Sequence, residues 1–414
     1  MGAQFCAQAG DGIVQAAIAK FIVFGGQKGF DLESARSPDD LLRVALYIFV
    51  PYTILSPFLG VVIDRWDRRR LLFVANGLRA VAILLIGLIG TSTVPDFFLF
   101  GAFLLTLAST RLVLATKAAA LPSTLEETNL VEGNAVSQLG GSLVQLAGAG
   151  AAFVAAKFVS ASPIVIVGAF VYAGGALFAL AARGLGGAPS GRPLREEVRR
   201  VLANIGRGVQ EVARTPKAAA SITTYFWLRL LWSFTIVGVG FIARDLLADN
   251  NVKIVLLTGG AGALGAVLGF LLADRLTARV RTTARLVLGA ALTAGVMVAV
   301  LGSFTDNAGV ANAALAALTF FLGLGFFLGK ISLDTMVQES LGDDFRGRAF
   351  SLYDISYNLA WVIAAGAMKI LWSTDSSGIL LTGMGVVFVL GMALLGSWFK
   401  SAGLLTESHP APVA

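Results

Sequence analysis

The stretch Gly60-Val61-Val62-Ile63-Asp64-Arg65-Trp66-Asp67-Arg68-Arg69-Arg70 separates two long apolar runs, one reaching back to about Leu41 and the other on to about Ile89. Each run is long enough to cross a bilayer as a helix, which takes about 20 apolar residues. Four arginines within six residues have no stable place in hydrocarbon, so the stretch is a short loop at a membrane surface between two spans. A chain with this pattern can fold only by satisfying its backbone inside each span, which makes it all-helical.

Composition extends that reading over all 414 residues: 56% are hydrophobic and 14% charged, which leaves little chain for a folded aqueous domain. The net charge of +7 sits mainly in short loops, where it sets orientation in the membrane, and no nucleic-acid partner is expected. Cys6 is the only cysteine and His409 the only histidine. Those counts exclude a disulfide within the chain and argue against a Cys/His metal site, a Ser-His-Asp triad and a histidine proton relay. No catalytic residue, metal or cofactor is therefore expected, and the chain does not read as an enzyme. The first residues lack a basic region and carry Asp11 inside the apolar run, so no cleavable signal is expected.

Apolar runs interrupted by Gly, Pro or charge predict twelve helices, near 3–25, 41–62, 71–91, 97–121, 132–157, 162–183, 218–243, 252–273, 282–302, 311–336, 347–371 and 378–400. The longest gap, 184–217, is polar and basic. Within it Leu194, Val198, Val201, Leu202, Ile205, Val209 and Val212 recur at helical spacing, an amphipathic surface helix. The expected organisation is an N-terminal six-helix bundle over 1–183, a cytoplasmic linker over 184–217, a C-terminal six-helix bundle over 218–401 and a polar tail over 402–414. Lys and Arg concentrate in the even-numbered connections, eight of them from Arg183 to Lys217, so both termini and the linker should face the cytoplasm from a plasma (inner) membrane.

The halves also repeat. Asp64-Arg65 recurs as Asp274-Arg275, 210 residues later, and the Lys117/Glu126 spacing recurs as Lys330/Glu339 at an offset of 213. Similar offsets in two loops suggest that a six-helix unit was duplicated, giving two pseudo-symmetric bundles.

Gly60-x-Val62-x-Asp64-Arg65-x-Asp67-Arg68-Arg69-Arg70, placed between the second and third predicted helices, resembles the cytoplasmic signature loop of the major facilitator superfamily, with Asp67 where the usual pattern has glycine. The resemblance covers essentially the whole chain. Ala115-Thr116-Lys117 through Asn129 to Asn134, and Arg346-Gly347-Arg348, look like the branch holding macrolide and siderophore exporters and lysophospholipid transporters. The resemblance implies a secondary transporter working by alternating access, with helices one, four, seven and ten lining the path. It further implies a cytoplasmic gate at Gly60, Asp64, Arg65, Arg68, Arg69 and Arg70, with Arg346 and Arg348 at the start of the eleventh helix and Asp274 and Arg275 as the weaker counterpart. The antiporter motif of fifth helices is not reproduced by Gly140-Gly141 and Gly148-Ala149-Gly150.

Polar residues within spans are costly unless they face a cavity or a partner. Gln4, Gln8, Asp11 and Gln15 follow i, i+4, i+7, i+11 and share one narrow helix face. Ser221, Tyr225, Arg229 and Trp232 make a second stripe; Lys330, Asp334 and Gln338 a third; Asp354, Tyr357, Asn358 and Trp361 a fourth. Three of these four fall on the helices that the resemblance assigns to the path. The candidate pathway is Gln8, Asp11, Gln15, Arg111, Lys117 and Arg229, with Lys330, Asp334, Asp354 and Asn358. Lys330 and Asp334, four apart, could equally pair with each other as packing charges. The mix of signs suits an anionic or zwitterionic amphiphile, and a proton is a candidate coupling ion at Asp11, Asp334 or Asp354. The expected function is export of a small amphipathic compound, of the drug or siderophore kind, by a monomer in the bilayer; lipid transport and a non-transporting scaffold or receptor are the alternatives.

Overall fold

The computed structural model describes residues 1–24, 65–91, 93–120, 130–156, 158–182, 184–185, 193–246, 251–280, 282–307, 309–341, 343–373 and 376–406, with isolated positions between 42 and 63. Among them there is no β-strand. The helices are α1 (Gly2–Phe24), α2 (Arg68–Ile89), α3 (Asp96–Ala120), α4 (Leu130–Ala155), α5 (Ala161–Ala181) and α6 (Leu194–Arg214), followed by α7 (Pro216–Leu246), α8 (Asn251–Arg279), α9 (Thr283–Gly302), α10 (Ala311–Ser340), α11 (Asp343–Leu371) and α12 (Ser377–Ser401). The predicted span 41–62 lies almost wholly outside the described residues.

Local chemistry sets several helix ends. Asp67 is the N-cap of α2, its carboxylate accepting the Arg70 amide at 2.9 Å, and this gives a structural reason for an aspartate in the signature loop where glycine is usual. Gly90 closes the same helix at a φ of 99°, a backbone conformation that only glycine adopts without strain, while its N–H reaches the Ile86 carbonyl at 3.0 Å. The amphipathic α6 starts after Pro193 with Glu196 and Glu197 in its first turn and ends on Arg214, the charge order that complements the helix dipole.

Among the described residues, seven helices are long and apolar enough to cross a membrane: α2, α3, α5, α7, α9, α10 and α12. Within the described residues, helices α4, α8 and α11 carry shorter apolar stretches, at 140–155, 257–273 and 355–371. Large apolar side chains, among them Leu88, Phe170, Phe270 and Ile379, are exposed along the outer faces. In water such surface would drive aggregation, whereas in lipid it is the solvated face.

Two compact units emerge, Met1–Arg36 with Leu46–Leu202, and Ser37–Ala45 with Ala203–Ala414. In unit 1 the principal packing pairs are α1 with α4, α1 with α5, and α2 with α5; in unit 2 they are α8 with α10, α9 with α10, α9 with α12, and α7 with α11. In the order of the predicted spans, α1–α4 and α2–α5 join first to fifth and third to sixth. In unit 2, α7–α11 and α9–α12 join seventh to eleventh and ninth to twelfth, the same pairings six positions later.

Apolar side chains gain little by leaving lipid, so helix association rests on close backbone approach and interhelical hydrogen bonds. A Cβ on Gly148 of α4 would stand 2.5 Å from the Ala9 carbonyl oxygen of α1, and one on Gly269 of α8 would stand 2.6 Å from the Leu324 carbonyl oxygen of α10. Gly265 and Gly323 make equally close contacts across α8 and α10, with Phe320 and Gly262. The small-residue spacing of Gly265 and Gly269 thus serves packing inside unit 2. Gly148→Ala and Gly269→Ala are each expected to lower stability by roughly 1–3 kcal/mol through overpacking. Gly77→Ala, where nothing lies within 4 Å, should leave it unchanged, and thermal unfolding in detergent reads the difference.

Candidate functional site

In unit 1 the polar face of α1 is used up by partners on four other elements. Gln4 Nε2 donates to Gln8 Oε1 at 2.8 Å and to the Ser137 carbonyl of α4 at 2.9 Å. Ser137 Oγ donates back to Gln4 Oε1 at 2.7 Å and receives Lys117 Nζ of α3 at 2.7 Å. Two turns further along, Asp11 Oδ1 accepts from Arg79 Nη1 of α2 at 3.0 Å and from the Tyr172 hydroxyl of α5 at 2.8 Å, while Oδ2 accepts from Thr110 Oγ1 of α3 at 2.7 Å. Arg79 Nη2 donates to Asn76 Oδ1 at 2.5 Å, and its guanidinium carbon lies 4.3 Å from the centre of the Tyr172 ring. Both side chains of the Asp11–Arg79 pair are 0% exposed.

This arrangement is a buried ion pair with its remaining valences largely filled, the condition under which charge is tolerated in a low-dielectric interior. The sequence reading found Asp11 and missed Arg79, Asn76, Thr110 and Tyr172. The available signal was an arginine in the middle of the apolar run 71–89, since an ionisable residue inside a span implies a partner.

Unit 2 is built differently. Arg229 of α7 is 5% exposed, and its guanidinium carbon lies 3.7 Å from the centre of the Tyr357 ring, 5.5 Å from Phe326 and 5.7 Å from Trp361. Tyr225 meets Tyr353 with ring centres 4.3 Å apart and Trp232 meets Phe326 at 4.8 Å, both tilted, which extends the aromatic wall across α7, α10 and α11. Arg229 Nε and Asn358 Oδ1 are buried without a hydrogen-bond partner. One turn along α10 from Phe326, Lys330 Nζ donates to Asp334 Oδ2 at 2.5 Å, the pairing within one helix that the spacing allowed, and Asp334 Oδ1 is buried without a partner.

The other candidates fall as follows. Gln8 is buried in the α1 network, Gln15 is half-buried on the same helix and Arg111 is exposed on α3. Asp354, Asp274, Arg346 and Arg348 lie in described helices, but their side chains lie outside the described set, and Gly60 and Asp64 lie outside the described residues. Arg65 pairs with Glu197 of α6 at 3.4 Å, and Arg68 Nη1 donates to the Leu185 carbonyl at 2.8 Å, so this loop grips the start of the connecting segment. Arg69, Arg70 and Arg275 are exposed.

Membrane-length apolar helices enclosing buried, partnered charges define a multi-pass helical membrane protein of the kind that moves solutes. Residues 2–365 match the model of the Major Facilitator Superfamily, and the chain belongs to that family of transporters. It is 27% identical over 379 residues to an uncharacterized MFS-type transporter of Mycobacterium tuberculosis, covering 86% of this chain and 81% of that protein. It is 24% identical over 413 residues to an uncharacterized protein of Mycobacterium leprae, covering 90% of this chain and 67% of that one. Among solved structures, a POT family transporter in complex with 5-aminolevulinic acid superposes with a TM-score of 0.68 at 13% identity, covering 98% of this chain and 96% of that one. The nucleoside transporter NupG superposes with a TM-score of 0.62 at 13% identity, covering 96% of this chain and 97% of that one. These two likenesses speak to the fold alone.

Removing one member of the buried pair strands the other. Arg79→Met and Asp11→Asn are each expected to destabilise the protein by about 3–5 kcal/mol. The double variant should lose less than the sum of the two, and thermal unfolding of all three reads that coupling.

Proposed function

We propose that the protein is a secondary active transporter of twelve spans that works by alternating access and exports a small amphipathic compound, of the drug or siderophore kind, across the plasma (inner) membrane. The observation that carries this reading is the aromatic wall of unit 2, near which Arg229, Asn358 and Asp334 hold buried polar atoms without partners. Buried polar groups of this kind are expensive in a span, and a substrate that is part apolar and part polar satisfies both wall and groups. The pathway comprises Gln8, Asp11, Gln15, Arg111 and Lys117 in unit 1, with Arg229, Lys330, Asp334, Asp354 and Asn358 in unit 2. In this reading 1–183 and 218–401 are six-span bundles, 184–217 is a cytoplasmic linker, 402–414 is a tail and both termini are cytoplasmic. Gly60, Asp64, Arg65, Arg68, Arg69 and Arg70 form the cytoplasmic gate with Asp274, Arg275, Arg346 and Arg348. A proton is the proposed coupling ion, taken up at Asp11, Asp334 or Asp354, and the working unit is a monomer.

Reconstituted vesicles with imposed proton and sodium gradients, screened with amphipathic drugs, siderophores and lysophospholipids, test the proposal. Flux of at least one small amphiphile above empty vesicles is expected, falling roughly tenfold in Lys117→Ala, the cost of one charged contact. Movement of lysophospholipid alone would make the cargo a lipid. Absence of all flux would leave a scaffold, and flux indifferent to collapse of the pH gradient would remove proton coupling.

A further inference from the structure

We infer that Arg229 is an anion-reading group and that the compound carried is an organic carboxylate with an aromatic or apolar body; this rests on the transport reading above and narrows its substrate class. Arg79, Lys117, Arg229 and Lys330 differ in what holds them. Arg79 is held by the Asp11 carboxylate, Lys330 by Asp334, and Lys117 by the Ser137 hydroxyl. Arg229 is the one whose nearest groups are aromatic rings, with no carboxylate among its described partners. Cation–π contact compensates only part of the cost of burying a guanidinium, so among the described side chains around it Arg229 keeps a positive charge that no carboxylate balances.

The geometry gives that charge a direction. The guanidinium carbon lies 3.7 Å from the centre of the Tyr357 ring, a side-chain hydrogen bond joins Arg229 to Tyr357, and Nε is buried without a partner, which leaves that N–H for an incoming acceptor. A carboxylate matches the edge of a guanidinium side by side with two parallel hydrogen bonds. Asn358, 2% exposed with Oδ1 unbonded, is an acceptor and suits an N–H or O–H on the body of the compound, not its carboxylate. Tyr357 is itself 36% exposed, so the stack is approachable from outside the helix packing. The surrounding Phe326, Trp361 and Trp232 rings suit an apolar body and disfavour a strongly hydrated small ion. Because Arg229 is already stripped of water in the folded protein, an incoming anion gains the contact without a further desolvation cost on the protein side.

Calorimetric titration of the purified full-length protein in nanodiscs with 4-phenylbutyrate, 4-phenylbutanamide and 4-phenylbutylammonium separates charge from body. The wild type should bind the carboxylate about tenfold or more tightly than the neutral amide, with the ammonium weakest. Arg229→Gln should bring carboxylate and amide within about twofold of each other, and Arg229→Lys should keep part of the preference. Arg200→Gln, an exposed arginine of α6, should keep all of it, and matching unfolding temperatures confirm that each variant is folded. Equal binding of the three probes, no binding of the carboxylate, or an anion preference that survives in Arg229→Gln would overturn the inference. Vesicle flux decides the transport reading separately. Flux without anion preference removes only the carboxylate assignment, and anion preference without flux of any compound leaves a binding site on a protein that does not transport.

Discussion

The Asp11 carboxylate and the Arg79 guanidinium meet at 3.0 Å with both side chains out of contact with solvent, and the packing of unit 1 depends on that meeting. One pair with its hydrogen-bond partners ties α1 to α2, α3 and α5. In lipid, where apolar contact between helices gains little, a contact of this sort specifies which helix sits beside which. Its partners also explain why the charges are tolerable. Tyr172 and Thr110 occupy the carboxylate lone pairs that Arg79 leaves free, and Asn76 takes a guanidinium N–H. α1 approaches α4 closely on its glycine-bearing side, where Gly148 admits the Ala9 carbonyl.

Unit 2 reaches comparable packing by other means. Gly265, Gly269 and Gly323 bring the backbones of α8 and α10 together, while α7, α10 and α11 meet through rings. The helix pairings of unit 1 recur six span positions later, yet the charges do not: one unit holds a closed ion pair and the other a cation among aromatics. The same helix pairings thus carry two charge arrangements, and the proposed binding role falls to the one whose buried polar atoms lack partners.

Much of this was legible in the sequence because a bilayer allows so few solutions. Apolar runs bounded by charge had to become helices, and the described helices lie on eleven of the predicted runs and on the amphipathic linker segment. The stripe Gln4, Gln8, Asp11 was visible from spacing, and so was Lys330 with Asp334, since both patterns lie within one helix. Arg79 and Tyr172 were not foreseen as Asp11 partners because they lie 68 and 161 residues away, and helical period says nothing about which neighbouring helix faces a stripe. The pairing of Arg65 with Glu197 was hidden for the same reason.

The proposed gate in the signature loop requires two arrangements whose balance it biases. The most direct test is a spin-label distance measurement between Val74→Cys and Leu271→Cys, exposed positions on α2 and α8, in a Cys6→Ser background reconstituted in lipid. The account predicts two distance populations whose ratio shifts when Asp64→Asn is introduced. A single population unchanged by that substitution would contradict it.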